Sequence, residues 1–551
     1  MTNGSDDPGI IPLSRWRAAL ARARRNRAAV LLEAPDAAQL IPQMPVQELY
    51  FAIKEQGLAD SRDILALASP EQIQGFFDLD AWDRGALDVE KLRPWLDMIT
   101  DIGPEKLGQV IESMDAEVIA LYVQRQCKVY DITLEEAPPD EDPEGSFFPT
   151  PDGFYLLDVL PGGEAGKSME HLIDWLYRAD LLLARRVVMS ARWEMPSDLE
   201  EWSLRWRNGR MADLGYVDYY DALTIYRYLD PASVKLDEKS ARDATVIGPH
   251  GASALPALLA GQIDERGFFA RALTGLDADA EVERVHGALL TLVNKILSAD
   301  RVEPGDSEKA RAALTRAAGY LSIGLESISR SDLPRATDAL SKIALERVFR
   351  VGFSLTLQLQ RLATSLIQSG RVGKGEFNLL EPPYRELTRL LAGARPEYPA
   401  TLDTPPGNIV RPFLSLLDVS RAAHALKTAA EQAAFVCDGL GIRIEAIAEV
   451  GGTLTSQPSE IRFGTLIRTL TARLFLSGTI ALDPIAGADI RPLKKAIAAE
   501  TDLLSKIEAV LLARLTERAQ KRPEAIRAWL EVWLKDLTTA IDLPGGLLVH
   551  L

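Results

Sequence analysis

Ser69-Pro70-Glu71-Gln72-Ile73 and, 34 residues on, Gly103-Pro104-Glu105-Lys106-Leu107 decide the reading of this chain. Each offers a small N-cap residue, Pro at the first helical position and Glu in the first turn, the standard start of an α-helix. Each then places one apolar residue at the third position after Pro and a pair at the sixth and seventh, Phe76 and Phe77 or Val110 and Ile111. Recurrence at this period predicts stacked helical units, none able to bury its apolar face alone.

Helical patterns continue outward from this pair. They are expected at about 46–56, 61–67, 70–78, 89–100, 104–112 and 115–126. A second series covers 169–192, 197–207, 217–229, 256–272, 278–299, 306–330 and 334–369, and a third 411–438, 458–478, 488–516 and 522–541. An Ala- and Arg-rich helix from Ser14 to Leu32 precedes them, with Trp16, Leu20 and Val30 on its apolar side. Strand-like alternation is scarce, and Phe154 to Leu160 is the best strand candidate. The fold class is therefore mainly α, multi-domain, with a superhelical N-terminal module and at most a small β element near 147–160.

Composition breaks divide the chain. A helical repeat module is expected over 1–134, followed by an acidic, Pro/Gly-rich linker with a short strand over 135–168. A middle helical domain follows at 169–392, then a Pro-rich linker at 393–412 and a C-terminal helical bundle at 413–551. The repeat has two clear copies, both in the N-terminal quarter, so the module is small.

The chain has 551 residues, too many for one core. Its formal charge of −17 opposes an extended nucleic-acid surface, which needs a concentrated positive field. Two cysteines, Cys127 and Cys437, form neither a disulfide framework nor a metal-ligand spacing and suit a reducing compartment. A polar N-terminus and the lack of a long apolar run predict a cytoplasmic protein with no membrane span.

The Pro-Glu helix starts, each followed by Leu79-Asp80 or Met114-Asp115, resemble the helical repeats of the cytosolic domain of bacterial magnesium transporters. They also resemble the superhelix of flagellar motor switch proteins. That likeness covers about residues 40–130. A broader one rests on Leu49-Tyr50, Asp78-Leu79-Asp80-Ala81-Trp82, Trp95-Leu96 and the run Leu214-Gly215-Tyr216-Val217-Asp218-Tyr219-Tyr220-Asp221-Ala222. This succession resembles a bacterial family of unknown function across most of the chain, and the resemblance implies no activity.

Candidate chemistry is sparse. Pro161-Gly162-Gly163-Glu164-Ala165-Gly166-Lys167-Ser168 follows the strand candidate and opens a helix, the setting of a phosphate loop. Gly162, Gly163, Gly166, Lys167 and Ser168 are the weak cofactor-binding candidates, because Pro161 replaces the first glycine and donates no amide. Asp140, Asp142, Glu144 and Gly145 match early positions of a calcium loop, but Pro151 stands where its bidentate Glu belongs. No His or Cys spacing suggests a metal, and no Gly-x-Ser-x-Gly elbow or other catalytic constellation is present. No cofactor is expected.

One region is dense in contact chemistry. Trp193, Trp202, Trp206, Arg207, Tyr219 and Tyr220 fall in a segment where aromatic and Arg residues interleave. That pairing suits a protein interface, but the preferred reading is a core cluster joining two helices, in which Trp202 and Trp206 pack as i, i+4 neighbours. The leading expectation is a non-enzymatic scaffold or regulatory protein working by protein–protein contact. A nucleotide switch using 162–168 and a divalent-cation sensor are the alternatives. Oligomeric state is not determined by these features.

Overall fold

The computed structural model describes residues 31–83, 85–134, 146–159, 164–236, 247–248, 251–252, 263–276, 279–374, 377–407, 409–444, 447, 454, 457–515, 523–535, 537–543 and 545–550. The basic helix expected at 14–32, the calcium-like residues Asp140, Asp142, Glu144 and Gly145, and Gly162 and Gly163 lie outside these, apart from the helix's last two positions. The described chain is mainly α, with short strands in small antiparallel sheets. It divides into two compact units, Met1–Arg350 and Val351–Leu551.

In the first unit the helices are α1 (Val46–Gln56), α2 (Arg62–Leu67), α3 (Pro70–Asp80), α4 (Val89–Ile102), α5 (Pro104–Ser113) and α6 (Ala116–Gln126). Three strands follow, β1 (Cys127–Asp131), β2 (Ser146–Pro149) and β3 (Tyr155–Val159), then α7 (Glu164–Ala179), α8 (Leu181–Trp193) and α9 (Pro196–Asp213). Alternate helices pack together: α1, α3, α5 and α7 form one succession and α2, α4, α6 and α8 the other. Leu49, Phe51, Ile73, Phe76, Leu107 and Val110 supply its fully buried core.

The two matched helix starts differ in how they are capped. Ser69 makes a full capping box: its hydroxyl accepts from the Gln72 amide, and Gln72 Oε1 accepts from the Ser69 amide. Gly103 has no side chain to offer and stands at φ 143°, ending α4 and starting α5 in one residue. Their third helical positions nevertheless do the same work. Gln72 Nε2 donates to the carbonyls of Ile41 and Met44 (2.9 and 2.7 Å), just ahead of α1. Lys106 Nζ donates to those of Ala66 and Ala68, just ahead of α3.

The strand expected at 154–160 is β3, the centre of a three-stranded sheet in the order β1–β3–β2, antiparallel throughout. Three helices expected as single rods are pairs. The 169–192 stretch breaks at Asp180, whose carboxylate accepts from the amides of Leu182 and Leu183 and starts α8. The 488–516 stretch breaks into Ile490–Ala498 and Leu503–Arg514, with Asp502 capping the second. The 334–369 stretch becomes α13 (Leu333–Lys342) and α14 (Leu345–Gln368), parted by extended Ile343. A local side-chain cap beats the continuing 3.6-residue periodicity at the first two.

Between α9 and α13 the first unit holds α10 (Phe268–Leu273), α11 (Asp279–Ala299) and α12 (Ser307–Ser329). Gly324 lets α12 approach the Val348 carbonyl of α14 more closely than a Cβ would allow. The second unit is built on helices including Leu416–Ala434, Phe463–Ser477 and Pro523–Leu534 around Phe435, Phe463 and Trp533. In its Pro-rich stretch, Arg411 lies on the Tyr398 ring and pairs with Asp403 and Asp418. No helix among the described residues is long and apolar enough to cross a membrane.

Candidate interaction surface and its buried support

The family-like motifs converge on a buried polar hub. Asp78, at the end of α3, is almost wholly buried and accepts from Arg210 Nε and Nη2 at 2.5 and 3.0 Å. The same guanidinium reaches Asp115 at 3.1 and 2.7 Å, so α9 is tied to α3 and to the start of α6 by one side chain. Burial raises the Asp78 carboxyl above its ordinary range, against the pull of Arg210 and Arg207. Burial also works against the Arg210 cation, but hydrogen bonds from Asp78 and Asp115 outweigh it and raise its pKa, so the proton stays on Arg210.

Neighbouring side chains complete the hub. Arg207 Nε donates to the Asp78 carbonyl at 2.9 Å and its guanidinium lies over the Trp82 ring. Asp80 accepts from the Tyr50 hydroxyl at 2.7 Å, Trp95 Nε1 at 2.9 Å and Lys54 Nζ at 3.0 Å. The Tyr216 hydroxyl accepts from Gln47, and Asn294 donates to Gln47 and to the Leu214 carbonyl. Gln47 and Asn294 carried no sequence signal. Their partners lie up to 247 residues away, beyond the reach of any local pattern.

With its inward side so anchored, α9 buries only Leu199, Ser203 and Met211. The expected core cluster of Trp202 and Trp206 is therefore corrected: both rings are about half exposed. Trp193 is 56 % exposed and Tyr220 76 %. Arg207 belongs to the hub instead, and Tyr219 is half-buried beneath Arg301, edge-on to Tyr220. The structure thus leaves four of the six candidates outward and turns two inward.

Sequence reading missed the companion stripe on α8. Leu182, Met189 and Trp193 are all exposed and lie at i, i+7 and i+11, hence on one face, with Arg186 between them. The spacing is legible in the sequence, but such a stripe ordinarily marks the core side of a helix. Here α8 has a second apolar face, Ala184, Val187, Val188 and Ala191, which is the one buried. Met195, also exposed, leads into α9. Arg192 lies over the Trp193 ring at 4.4 Å and Arg205 over the Trp202 ring at 5.7 Å, setting cations beside the apolar surface.

The phosphate-loop candidates fall at the start of α7. Gly166 is buried, Lys167 exposed and Ser168 half-buried, all within the helix. Cys127 is buried, and burial pushes its thiol pKa well up, which makes it a poor nucleophile. It borders an open cleft of about 570 Å³ lined by Gln124, Cys127, Lys128, Val129, Tyr130, Ala191 and Arg192.

No curated protein and no solved structure matches the chain. A family model does, over nearly its whole length. The chain belongs to the family of unknown function DUF6178, whose model spans residues 11–542.

Proposed function

We propose that this protein is a non-enzymatic scaffold or regulatory protein that docks a protein partner on the outer faces of α8 and α9. The observation that carries this reading is the concentration of large exposed apolar side chains there: Leu182, Met189, Trp193, Met195, Trp202 and Trp206. Single exposed hydrophobics are ordinary on any surface, whereas a concentration of this size marks a contact. Trp, Met and Arg are the residue types enriched at interfaces, and the i, i+7, i+11 stripe fits an amphipathic helix. The Arg192 and Arg205 cations favour a partner helix with carboxylates along its rim.

A photo-crosslinking residue at Trp202 tests this in cells, with one at exposed Asp60 as the control. The expected result is a discrete crosslinked partner at position 202 that disappears in a Met189→Glu/Trp206→Glu variant with unchanged circular dichroism. The same adducts at both positions, or adducts that survive the double variant, overturn the reading.

The nucleotide reading draws support from the order of β3 and α7 and from exposed Lys167. It gains less, because phosphate loops follow parallel strands and β3 is antiparallel to both neighbours. A thermal shift with ATP or GTP that Lys167→Ala abolishes would move the function there.

A further inference from the structure

The cleft beside β1 has a donor and acceptor pattern that matches a peptide backbone. In the β1–β3 pairing the Ile132 amide donates to the Phe154 carbonyl, which extends the register that faces Tyr130 with Leu156 and Lys128 with Asp158. Hydrogen-bonded pairs alternate in an antiparallel ladder, so Val129 falls in a non-bonded pair and turns its N–H and C=O away from β3. β1 is the edge of its sheet among the described residues, and Val129 lines the cleft.

Gln124, also in the lining, is used within the fold: its Nε2 donates to the carbonyls of Ala191 and Glu194. The cleft thus presents the outward N–H and C=O of Val129. A phosphate group supplies acceptors for the N–H and no donor for the C=O. An extended peptide supplies an N–H and a C=O at every residue.

Charge selects further. In a chain with 79 acidic against 62 basic residues, the cleft lining has, among the described residues, Lys128 and Arg192 and no carboxylate. Lys on a strand edge also discourages two copies from pairing edge to edge, since the two ammonium groups would oppose one another. The cleft volume lies within the roughly 300–1,000 Å³ of ordinary binding sites.

We propose that the β1 edge and the end of α8 bind an extended acidic peptide segment of another protein, which pairs its backbone with Val129 and its carboxylates with Lys128 and Arg192. This rests on the reading of the protein as a protein-binding scaffold and shares Arg192 with that surface, but is otherwise built on the β1 edge rather than the apolar stripe. The probe is a displayed library of ten-residue peptides with Glu at alternate positions, selected on the full chain, with binding then measured by fluorescence anisotropy. Selected peptides are expected to lose at least tenfold in affinity when alternate backbone nitrogens are methylated. A similar loss is expected on a Lys128→Glu/Arg192→Glu variant, and Met189→Glu/Trp206→Glu should bind them as the natural chain does. Retained binding by a folded Val129→Pro variant, affinity indifferent to N-methylation, or no enrichment over the charge-reversed variant would each overturn the proposal. Failure of the α8–α9 docking reading is seen separately, in the crosslinks at position 202.

Discussion

Arg210 and Asp78, 132 residues apart, form a two-pronged ion pair with the carboxylate shut off from solvent. Removing one member of such a pair strands the other charge. Arg210→Ala is expected to destabilise the first unit by about 3–5 kcal/mol. Arg210→Lys recovers little of this, since an ammonium cannot reproduce the fork that spans Asp78 and Asp115. Urea denaturation followed by tryptophan fluorescence measures both.

Asp152 gives the hairpin between β2 and β3 a pH dependence. Burial tends to raise its pKa, but the Thr150 hydroxyl, Arg185 and the Phe154 amide outweigh it, and the carboxyl lies below its ordinary value. A depressed acid contributes stability that is fully present above its unfolded pKa of about 3.9 and is lost as pH falls through the folded value. The gap in urea midpoint between the natural chain and Asp152→Asn should be open at pH 6 and narrow below pH 4. A gap that is constant with pH would contradict the assignment.

Lys106→Met keeps the length of the side chain and deletes its donors. The carbonyls of Ala66 and Ala68 lose their partner, at an expected loss of about 1–2 kcal/mol. Thermal unfolding of the variant reads this directly.

Gly324→Ala sets two effects against each other. Ala favours a helix interior by about 1 kcal/mol over Gly. The new Cβ, however, would meet the backbone carbonyl of Val348, which cannot swing aside as a side chain can. Such overpacking costs about 1–3 kcal/mol, so a net drop in melting temperature is expected.

Tryptophans of equal size should behave differently by position. Trp95 is fully buried and donates to Asp80, so Trp95→Phe loses about 1–2 kcal/mol for the hydrogen bond alone. Half-exposed Trp206→Ala should change stability by less than about 1 kcal/mol while weakening partner crosslinking. A large stability loss at Trp206 would return that ring to the core.

Local chemistry was enough to place most helices. The Pro70 and Pro104 starts, the strand at Tyr155–Val159 and the mainly helical class follow from caps, fixed proline φ and apolar spacing, all of which act within a few residues. The same local rules misjudged 169–192, because an internal Asp capped a new helix where periodicity continued.

What the sequence by itself determined is which segments are helical and which side chains each helix has to offer. Tertiary structure alone decided which face of α8 is buried, since Val187 and Leu182 are equally apolar and only packing against α6 distinguishes them. It also decided that Arg210 meets Asp78 while Trp206, four residues earlier on the same helix, is left to solvent. The physical reason is range: capping and helix propensity are settled between near neighbours, whereas burial is a competition among all the faces the chain brings together, and its outcome is not written at any single position.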